Sequence, residues 1–513
     1  MGPERERQEA TDASFRDSEG GFVLAQRATL IATLTSTVDG QALAGLSRMA
    51  DWLEVRADLV GDLDPTELRK HFGGKLLYTL RSRVEGGQFG GVDIDRRRRL
   101  IWAAAAYDAV DLEAARDVSD EVLSAIQPER RVVSWHGPAL DLERLTRRFQ
   151  DLLALPAFVY KLIPEARDAC EGLVPLTLLA RLRRDDVVAF ASGGGGTWTR
   201  FLAPRLGKPW IYGAAGREPG AAGQPTVETL RHDFNLPELA PLEHLYGIVG
   251  RPISHSLSPR LHNAAYRELG LPALYLPFEV SSFGEFWLEL VEGNLLPEMG
   301  LELRGLSVTA PHKGVAMAIA GAVSPLAQRA ASANTLVVRD GVWEAESTDA
   351  DGVLIPLTEH GIQVSGERIA VVGAGGAGRA AACGLARAGA TVVLANRGVD
   401  AGRNAAEQAR VAFVPLDEFR PEDFAIIIQA TSLGRSFGDG LPFDPARVSE
   451  SATVVDMVYR SSGPTEMVDA LRRRGVTAIG GREVLLAQAK RQFFLMTGKV
   501  LPDSLGRALL EME

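Results

Sequence analysis

The stretch that decides the fold of the C-terminal half is Ile369–Arg397, which reads IAVVGAGGAGRAAACGLARAGATVVLANR. An apolar strand runs into a glycine-rich turn, and an alanine-rich helix and a second apolar strand follow. This order is typical of the first βαβ unit of a dinucleotide-binding domain, because glycines let the backbone approach a pyrophosphate at a helix N-terminus. The alternative is a tight strand-to-helix turn that binds nothing. The pattern favours a cofactor loop that uses Gly373, Gly375, Gly376 and Gly378.

The second strand of this unit ends at Asn396 and Arg397. An enzyme that uses NAD usually carries an acidic residue here for the ribose 2′-hydroxyl, whereas an arginine favours the 2′-phosphate of NADP. The pattern therefore predicts NADP as the cofactor. A solvated arginine at the end of a strand is the alternative interpretation.

Upstream of this unit, residues 246–350 mix apolar strands with helices, and we expect the first of these strands to begin at Tyr246. Reduction of a ketone needs a proton donor for the developing alkoxide and a group that orients this donor. Lys313, in SVTAPHK, and Asp349, in STDADG, can supply both. Taken alone, Lys313 could be a helix cap or a surface residue, and the same holds for Ser256, Ser258 and Thr309.

The N-terminal half contains eight short apolar runs between Ala28 and Gly216, separated by stretches long enough for a helix. The runs are ATLIATLTS, WLEVRADLV, LLYTLRS, AVDLEA, RVVSWHG, FVYKLIP, DVVAFASG and PWIYGAAG. Eight βα units of this kind predict a parallel (β/α)8 barrel. The arginine run in DIDRRRRLIWAAAAYDAV is interpreted as a solvated helix face.

The predicted fold class is α/β, an N-terminal (β/α)8 barrel fused to a two-domain α/β dehydrogenase with a Rossmann-type NADP-binding domain. HDFNLPELAPLEHL, which carries prolines and has no clear period, is the expected linker between the halves. We expect five segments: a disordered tail at 1–24, the barrel at 25–236, a substrate-binding domain at 245–350, the NADP-binding domain at 351–490, and a C-terminal helical segment at 491–513 that returns to the substrate-binding domain.

Composition narrows the class of partner. The 513 residues carry 56 Lys and Arg against 66 Asp and Glu, a net charge of −10, which argues against nucleic acid. Two cysteines, Cys170 and Cys383, predict neither a disulfide framework nor a metal site. No apolar run is long enough for a membrane span, and the N-terminus lacks a targeting segment. We expect a cytoplasmic protein with small-molecule substrates and no metal, and predict no particular oligomeric state.

The barrel half places polar residues at the carboxyl ends of its strands, where barrel enzymes carry their chemistry. Lys161 lies inside the run FVYKLIP, and a buried lysine amine that loses its proton is a nucleophile toward ketones. His136 ends the preceding run and can transfer the proton. Three arginines, Arg56, Arg81 and Arg200, can clamp a carboxylate. The alternatives are a salt-bridged lysine and a satisfied core histidine.

The motifs LEVRAD, TLRSRVEGG, VVSWHG, YKL, the Thr199-Arg200 pair and AAGQ occur in this order across residues 25–235. In this order and spacing the chain resembles type I 3-dehydroquinate dehydratase. The resemblance implies that Lys161 forms an imine with the substrate ketone, that His136 is the acid/base, and that Glu113 is an acid beside the site. It also implies a substrate-holding set formed by Glu54, Arg56, Arg81, Arg200 and Gln224. The chain departs from the family pattern at Ala191-Ser192-Gly193, Thr199 and Gly220.

A second ordered set covers residues 245–513: SHSLSP, VTAPHK, NT, TD, GAGGAG, NR, ATSLG, DMVY and GREVLLAQA. This set resembles shikimate dehydrogenase. The resemblance implies that Lys313 and Asp349 form the catalytic pair and that Asn396 and Arg397 contact the 2′-phosphate. The implied substrate-holding residues are Ser256, Ser258, Thr309, Asn334, Asp349, Tyr459 and Gln488. Departures from the family pattern are Ser307, Gln429 and Gly398.

The two resemblances describe consecutive reactions, because the product of the dehydratase, 3-dehydroshikimate, is the substrate of the dehydrogenase. Together they imply a bifunctional enzyme of aromatic amino acid biosynthesis that converts 3-dehydroquinate through 3-dehydroshikimate to shikimate with NADPH. Three alternatives stay open. They are a chain in which only the dehydrogenase half is active, a catabolic quinate/shikimate dehydrogenase that uses NAD, and a regulatory protein that has kept the folds and lost the chemistry.

Overall fold

The computed structural model describes residues 26–460 and 463–510. The tail expected at residues 1–24 lies outside the described residues. The chain forms two compact units. One contains the described residues up to Glu165, Val174–Arg231 and Asn235–Ala240, and the other contains Ala166–Leu173, His232–Phe234 and the chain from Pro241 onward.

The first unit is built on eight parallel strands, and each of them coincides with one of the apolar runs. The strands are Thr29–Leu34 (β1), Trp52–Arg56 (β2), Lys75–Thr79 (β3), Ala109–Glu113 (β4), Arg131–Gly137 (β5), Val159–Pro164 (β6), Val187–Ala189 (β7) and Trp210–Ala214 (β8). Their order in the sheet is β7-β6-β5-β4-β3-β2-β1-β8, with β1 paired in parallel to both β2 and β8. This is the nearly closed barrel that the spacing of the runs predicts.

Helices alternate with these strands. They are Gly40–Ser47 (α1), Ala57–Val60 (α2), Pro65–Arg69 (α3), Asp93–Ala106 (α4), Asp120–Ala125 (α5), Leu142–Leu153 (α6), Leu173–Leu182 (α7), Thr199–Leu202 (α8) and Val227–Phe234 (α9). Two expectations are corrected here. The end of the run WLEVRADLV is helical, and the first three residues of the expected linker belong to α9, whose N-cap is Thr226 and whose C-cap is Asn235.

The arginine run of α4 is not a uniformly solvated face, contrary to the expectation. Arg96 is 1% exposed, and its guanidinium donates to both carboxylate oxygens of Asp117 at 2.6 Å. It also donates to the backbone oxygen of Leu80. The run was misjudged because a count of charges does not tell which residue of a helix turns toward the barrel and finds a buried carboxylate there.

The second unit contains two six-stranded sheets. The first has the order β10-β9-β11-β13-β14-β12, and the second has the order β17-β16-β15-β18-β19-β20 with all pairs parallel. Their strands are His244–Gly250 (β9), Ala273–Glu279 (β10), Glu302–Val308 (β11), Ala322–Val323 (β12), Thr335–Arg339 (β13), Val342–Glu346 (β14), Arg368–Val372 (β15), Thr391–Asn396 (β16), Ala412–Pro415 (β17), Ile426–Gln429 (β18), Thr453–Asp456 (β19) and Thr477–Ile479 (β20). Strand β9 begins two residues before the expected Tyr246. Numbered from β15, the second sheet has the order 3-2-1-4-5-6 of a dinucleotide-binding domain.

The helices of this unit are Ser258–Glu268 (α10), Phe283–Phe286 (α11), Leu295–Glu298 (α12), Lys313–Ile319 (α13), Pro325–Ala330 (α14), Asp349–Glu359 (α15), Gly376–Arg387 (α16), Val399–Ala409 (α17), Glu466–Arg473 (α18), Gly481–Thr497 (α19) and Asp503–Leu510 (α20). Helix α19 packs Leu485, Ala489 and Phe493 into a core shared with Tyr246 and Tyr275 of the first sheet. Among the described residues, every helix is too short or too polar to cross a lipid bilayer.

Candidate active sites

A cavity of about 550 Å³ opens at the carboxyl ends of the barrel strands. The structure brings every barrel residue of the predicted catalytic and substrate-holding sets to its wall. These residues are Glu54, Arg56, Arg81, His136, Lys161, Arg200 and Gln224. The strands converge at this end, so side chains far apart in sequence share one space. Glu113 is buried beneath them and accepts a hydrogen bond from the Ser82 backbone N–H at 2.7 Å.

Lys161, on β6, is 4% exposed and lies between two carboxylates. Its Nζ is 3.7 Å from Glu54 Oε1 and 3.5 Å from Asp111 Oδ2, at or beyond the limit of a good hydrogen bond. The Glu54 carboxylate instead accepts hydrogen bonds from Thr33 at 2.8 Å and Thr79 at 2.9 Å. The lysine therefore has negative charge nearby and an amine that no short hydrogen bond immobilises.

His136 is oriented by Glu85. Glu85 Oε2 accepts hydrogen bonds from the His136 backbone N–H at 3.1 Å and from Arg81 Nη1 at 3.0 Å, and it lies 3.2 Å from His136 Nδ1. An oxygen that already accepts two donors acts as an acceptor for the ring too, so Nδ1 carries the proton and Nε2 presents a lone pair. Burial, together with the cations Arg81 and Lys161, holds the pKa of His136 well below its usual range. The imidazole is a neutral base at neutral pH.

Burial raises the pKa of Glu85 from 4.5 to about 8, against the opposing effect of Arg81. Arg81 also faces Asp111 and Glu113, so one cation serves three carboxylates and one of them keeps its proton. The folded barrel thus holds this proton more tightly than the unfolded chain does. The Glu85 carboxyl consequently makes the free energy of unfolding decrease as pH rises from about 4.5 to about 8.

In the Glu85→Gln protein, which cannot ionise at this position, we expect this decrease to disappear. The measurement is urea unfolding at several pH values between 5 and 8, followed by hydrogen exchange of barrel peptides. Glu67→Gln, at a side chain that is 65% exposed, is the control and keeps the wild-type pH dependence. The interpretation is wrong if the Glu85 variant and wild type lose stability equally over this range.

The three arginines that the sequence groups together differ in their counter-ions. Arg56 donates two hydrogen bonds of 2.8 Å to Asp58 and one of 2.6 Å to the Gly220 oxygen. Arg81 is engaged by carboxylates. Arg200 has no carboxylate partner among the described residues, stacks 4.4 Å above the Phe190 ring, and has buried Nε and Nη2 atoms without a hydrogen bond. Burial lowers the pKa of Arg200 to about 9. Of the three, Arg200 is the one whose guanidinium is free to bind a carboxylate.

Two departures from the family pattern have structural explanations. A Cβ atom at Gly220 would lie 2.9 Å from Thr33 Cγ2 and 3.1 Å from Gln224 Oε1, so the turn is packed for glycine. Gln224 accepts from the Gly220 N–H at 2.8 Å and thereby holds the turn. Thr199 keeps the hydroxyl of the expected serine, which accepts from the Ala191 N–H and donates to the Gly196 oxygen.

Sequence reasoning missed two residues of the barrel site. Asp111 accepts from Arg81 at 2.9 Å and from Ser134 at 2.6 Å, and Tyr212 lines the cavity beside Lys161. A signal for Asp111 was present, because it lies two residues before Glu113 in one strand and therefore on the same face. Nothing in the run PWIYGAAG distinguishes Tyr212 from a core aromatic residue.

The second site is centred on Lys313 and Asp349. Lys313 Nζ donates to the two carboxylate oxygens of Asp349 at 2.9 and 2.7 Å. Asp349 Oδ1 also accepts from Asn334 Nδ2 at 3.1 Å and from Gln488 Nε2 at 3.0 Å. The Thr348 N–H donates to Asn334 Oδ1, which fixes the orientation of this amide. Four predicted residues thus form one hydrogen-bonded cluster.

The remaining predicted substrate residues lie on neighbouring loops. Ser258 is the first residue of α10, and its N–H donates to Ser256 Oγ at 3.3 Å. Burial raises the pKa of Tyr459, and a hydrogen bond from Ser256 opposes this rise, so these two side chains meet. Thr309 is the first residue after β11, and its side chain packs on Gly250. A Cβ atom added to Gly250 would lie 2.2 Å from Thr309 Cγ2.

Two residues of this half that differ from the family pattern, Ser307 and Gln429, have defined hydrogen-bond partners. Ser307 accepts from the Tyr275 hydroxyl at 2.6 Å and donates to Gln492 Oε1 at 3.0 Å in the buried interior. Gln429 accepts from the Thr431 N–H at 2.7 Å and donates to the Leu433 oxygen at 3.0 Å, so it shapes the turn after β18.

The glycine-rich loop has the geometry of a cofactor cradle. Gly373 has φ +117°, a backbone conformation that favours glycine. A Cβ atom added to Gly376 would lie 2.4 Å from Ser332 Oγ, and one added to Gly378 would lie 2.0 Å from the backbone oxygen of Gly373. At Gly375, the N-cap of α16, such a Cβ would meet no atom of the described residues within 4 Å apart from the adjoining backbone. The open space at the helix N-terminus fits a diphosphate.

Beyond β16, Asn396 and Arg397 occupy different environments. Asn396 Oδ1 accepts from the Ala374 N–H at 3.2 Å, and Nδ2 donates to the Gly398 oxygen at 2.9 Å. Asn396 therefore ties the glycine-rich loop to the turn after β16. The side chain of Arg397 is exposed.

A barrel with a buried lysine and a neutral histidine, joined in one chain to a Rossmann-type unit with a Lys–Asp pair, defines a fused lyase and NADP-dependent oxidoreductase. The family model of type I 3-dehydroquinase matches residues 30–239, and that of the shikimate dehydrogenase substrate binding domain matches residues 248–336. The chain belongs to the family of bifunctional 3-dehydroquinate dehydratase/shikimate dehydrogenases.

Individual relatives cover one or both halves. The bifunctional chloroplastic 3-dehydroquinate dehydratase/shikimate dehydrogenase of Arabidopsis thaliana is 28% identical over 493 residues, covering 89% of this chain and 79% of the relative. A shikimate dehydrogenase (NADP(+)) of Anaeromyxobacter dehalogenans is 37% identical over 280 residues, covering 52% of this chain and 95% of the relative. The crystal structure of shikimate dehydrogenase from Aquifex aeolicus is 29% identical, with a TM-score of 0.48, and covers 52% of this chain and 97% of that one.

Proposed function

We propose that this chain dehydrates 3-dehydroquinate to 3-dehydroshikimate in the barrel and reduces 3-dehydroshikimate to shikimate with NADPH in the second unit. The observation that carries the proposal is that one chain holds a Lys161–His136 cavity and a Lys313–Asp349 cluster, which serve consecutive reactions. We assign the first reaction to residues 25–236 and the second to residues 245–513. The product feeds chorismate and aromatic amino acid biosynthesis.

In the barrel, the Lys161 ammonium gives up a proton and its amine adds to the ketone carbon. The two protons that the nitrogen loses in all go to the carbonyl oxygen, which leaves as water and gives a protonated imine. The imine acidifies the neighbouring carbon. His136 Nε2 removes a proton from that carbon and returns it to the hydroxyl group that leaves as water. Hydrolysis of the imine then releases 3-dehydroshikimate and regenerates the lysine, so the net reaction is the loss of one water.

In the second unit, the substrate hydroxyls and carboxylate are held by Ser256, Ser258, Thr309, Asn334, Tyr459 and Gln488. NADPH, when bound, would supply the hydride. Lys313 donates a proton to the carbonyl oxygen as it becomes an alkoxide. Asp349 holds Lys313 in place through two hydrogen bonds. Gly373, Gly375, Gly376 and Gly378 would hold the diphosphate, and Asn396 and Arg397 the 2′-phosphate.

Arg200 and Arg81 give opposite predictions although both are buried arginines of one cavity. Arg200→Met removes the cation that would bind the substrate carboxylate, so we expect KM for 3-dehydroquinate to rise about 10- to 100-fold without loss of stability. Arg81→Met removes a buried cation that faces three carboxylates and leaves Glu113 with Arg96 at 3.3 Å and Asp111 with Lys161 at 3.5 Å, so we expect a loss of about 3–5 kcal/mol of unfolding free energy. Steady-state kinetics and urea unfolding measure the two effects. Equal destabilisation by both variants would contradict the assignment.

Arg397 is predicted to set the cofactor preference. In Arg397→Ala we expect KM for NADPH to rise about tenfold or more, because one charge-assisted contact to the 2′-phosphate is lost. KM for NADH is expected to stay unchanged. Arg403→Ala, on α17 and also exposed, is the matched control. A parallel rise of KM for both cofactors would show that Arg397 does not read the 2′-phosphate.

The function is tested by supplying the purified full chain with 3-dehydroquinate and NADPH and following shikimate formation and cofactor oxidation. We expect both from wild type. Reduction of added 3-dehydroshikimate with no consumption of 3-dehydroquinate would leave only the dehydrogenase active. We further propose a cytoplasmic location, which is supported by the two free cysteines, Cys170 and Cys383.

A further inference from the structure

The positive charge of Lys161 is only partly balanced by carboxylates. Glu54 and Asp111 are 3.7 and 3.5 Å from Nζ, and each also accepts hydrogen bonds from other donors. Asp111 accepts from Arg81 and Ser134, and its Oδ2 atom, the one nearer the lysine, has no hydrogen bond among the described residues. A buried ammonium is costly without close partners, so a further group beside the nitrogen would stabilise it.

Tyr212, on β8, supplies such a group. Lys161 Nζ lies 4.3 Å from the centroid of the Tyr212 ring. The ring is 3% exposed and is held between Phe190 and Trp210, each with its centroid 6.3 Å away. Burial and the carboxylates of Glu54 and Asp111 raise the pKa of the Tyr212 phenol well above its usual range. The side chain is therefore a neutral aromatic face at neutral pH.

A ring face differs from a carboxylate in what it requires of a cation. A carboxylate binds an ammonium through N–H groups, and an imine formed on Lys161 keeps only one N–H on its nitrogen. The negative face of an aromatic ring attracts a cation by electrostatics alone and needs no N–H pointing at it. The same ring can therefore stabilise the lysine cation before and after the imine forms.

We propose that Tyr212 is a further catalytic residue of the barrel, whose ring face stabilises positive charge on the Lys161 nitrogen both in the resting ammonium and in the protonated imine. The other cations nearby do not compete with Lys161 for the face of the Tyr212 ring. Arg81 is balanced by its carboxylates, and Arg200 lies over a different ring, that of Phe190. The inference rests on the proposed imine chemistry of Lys161.

The test replaces Tyr212 in the full-length protein by phenylalanine and then by phenylalanines with increasing numbers of ring fluorines. Fluorine weakens the negative face while the ring keeps its shape, so the fold is retained. The readout is the rate at which a small acylating reagent modifies Lys161 at pH 7, measured by mass spectrometry of the lysine peptide. The exposed Lys70 is the internal reference.

We expect Tyr212→Phe to acylate at close to the wild-type rate, and the rate to rise stepwise with fluorine number to about three- to tenfold. The reason is that a weaker ring face stabilises the cation less, so the amine that attacks the reagent forms more easily. A loss of packing alone would not follow the number of fluorines. A Lys161 rate that does not depend on fluorine number overturns the proposal.

A separate arm tests the function on which this inference rests. Wild type is treated with 3-dehydroquinate and borohydride, which reduces an imine to a stable adduct on Lys161. A fluorine-dependent acylation rate without an adduct would overturn the imine chemistry and the catalytic role of Tyr212, leaving only a ring contact. An adduct together with a fluorine-independent rate would support the dehydratase and overturn the role of Tyr212.

Discussion

The Lys161→Ala protein is expected to lose dehydratase activity by a factor of about 10⁴ or more while it keeps the wild-type rate of 3-dehydroshikimate reduction. Without the amine no imine forms, so the carbon that loses its proton is not acidified, and His136 faces an ordinary ketone. The dehydrogenase cluster contains none of the barrel residues. The measurement is consumption of 3-dehydroquinate and, separately, oxidation of NADPH with added 3-dehydroshikimate.

Lys208→Ala is the matched control, since this lysine lies in the same barrel and packs on Phe158 at 4.5 Å, away from the lining of the cavity. It should leave both activities unchanged. If Lys161→Ala still consumes 3-dehydroquinate at a tenth of the wild-type rate or faster, an imine at this lysine is not the route. The barrel site would then need a different nucleophile.

The second large effect is expected in Asp349→Asn. The amide keeps the size of the side chain and removes the charge that holds Lys313, so we expect the rate of 3-dehydroshikimate reduction to fall about 10³-fold. Asp349 receives hydrogen bonds from Lys313, Asn334 and Gln488, and an amide cannot accept at both of its ends. Dehydration in the barrel continues, so 3-dehydroshikimate accumulates from 3-dehydroquinate.

Asp351→Asn is the control for this prediction. Asp351 lies two residues further along α15, its side chain is 38% exposed, and its carboxylate is 4.0 Å from Arg491. We expect unchanged turnover of both substrates. Product analysis by chromatography distinguishes the outcomes, because a block at the second site shows as intermediate and a block at the first shows as unused substrate. Rapid shikimate formation by the Asp349 variant would contradict the assigned pair.

Much of the fold could be predicted from local pattern. All eight barrel strands coincide with short apolar runs, and the strand, glycine turn and helix of Ile369–Arg397 form β15, the loop and α16. Boundaries were less accurate, as at residues 57–60, which are helical because the chain turns directly after β2. Hydrophobic period and glycine placement act over a few residues, which is why one sequence is enough to read them.

The sequence was enough to predict which residues form the barrel site, but it did not show which of them contact one another. The seven cavity residues were found from strand ends and family motifs, whereas Asp111 and Tyr212 were missed. Tyr212 belongs to a strand whose other residues are apolar, and a single aromatic residue in such a strand is usually part of the core. Asp111 shares its strand with Glu113, but the strand pattern does not show which cations lie opposite it. Their roles follow from what lies across the barrel from them.

The sequence by itself determined the order of elements, the cofactor loop and the chemical groups available to each reaction. Only the tertiary structure decided which charges are free. Four buried arginines look the same in the sequence, but their partners differ. Arg56 pairs with Asp58, Arg81 with Asp111 and Arg96 with Asp117, whereas Arg200 has no carboxylate partner among the described residues. The physical reason is that strand and turn formation depends on neighbours in the chain. The state of a buried charge instead depends on groups that folding brings within a few ångströms from distant positions in the sequence, as with Lys161 and Glu54.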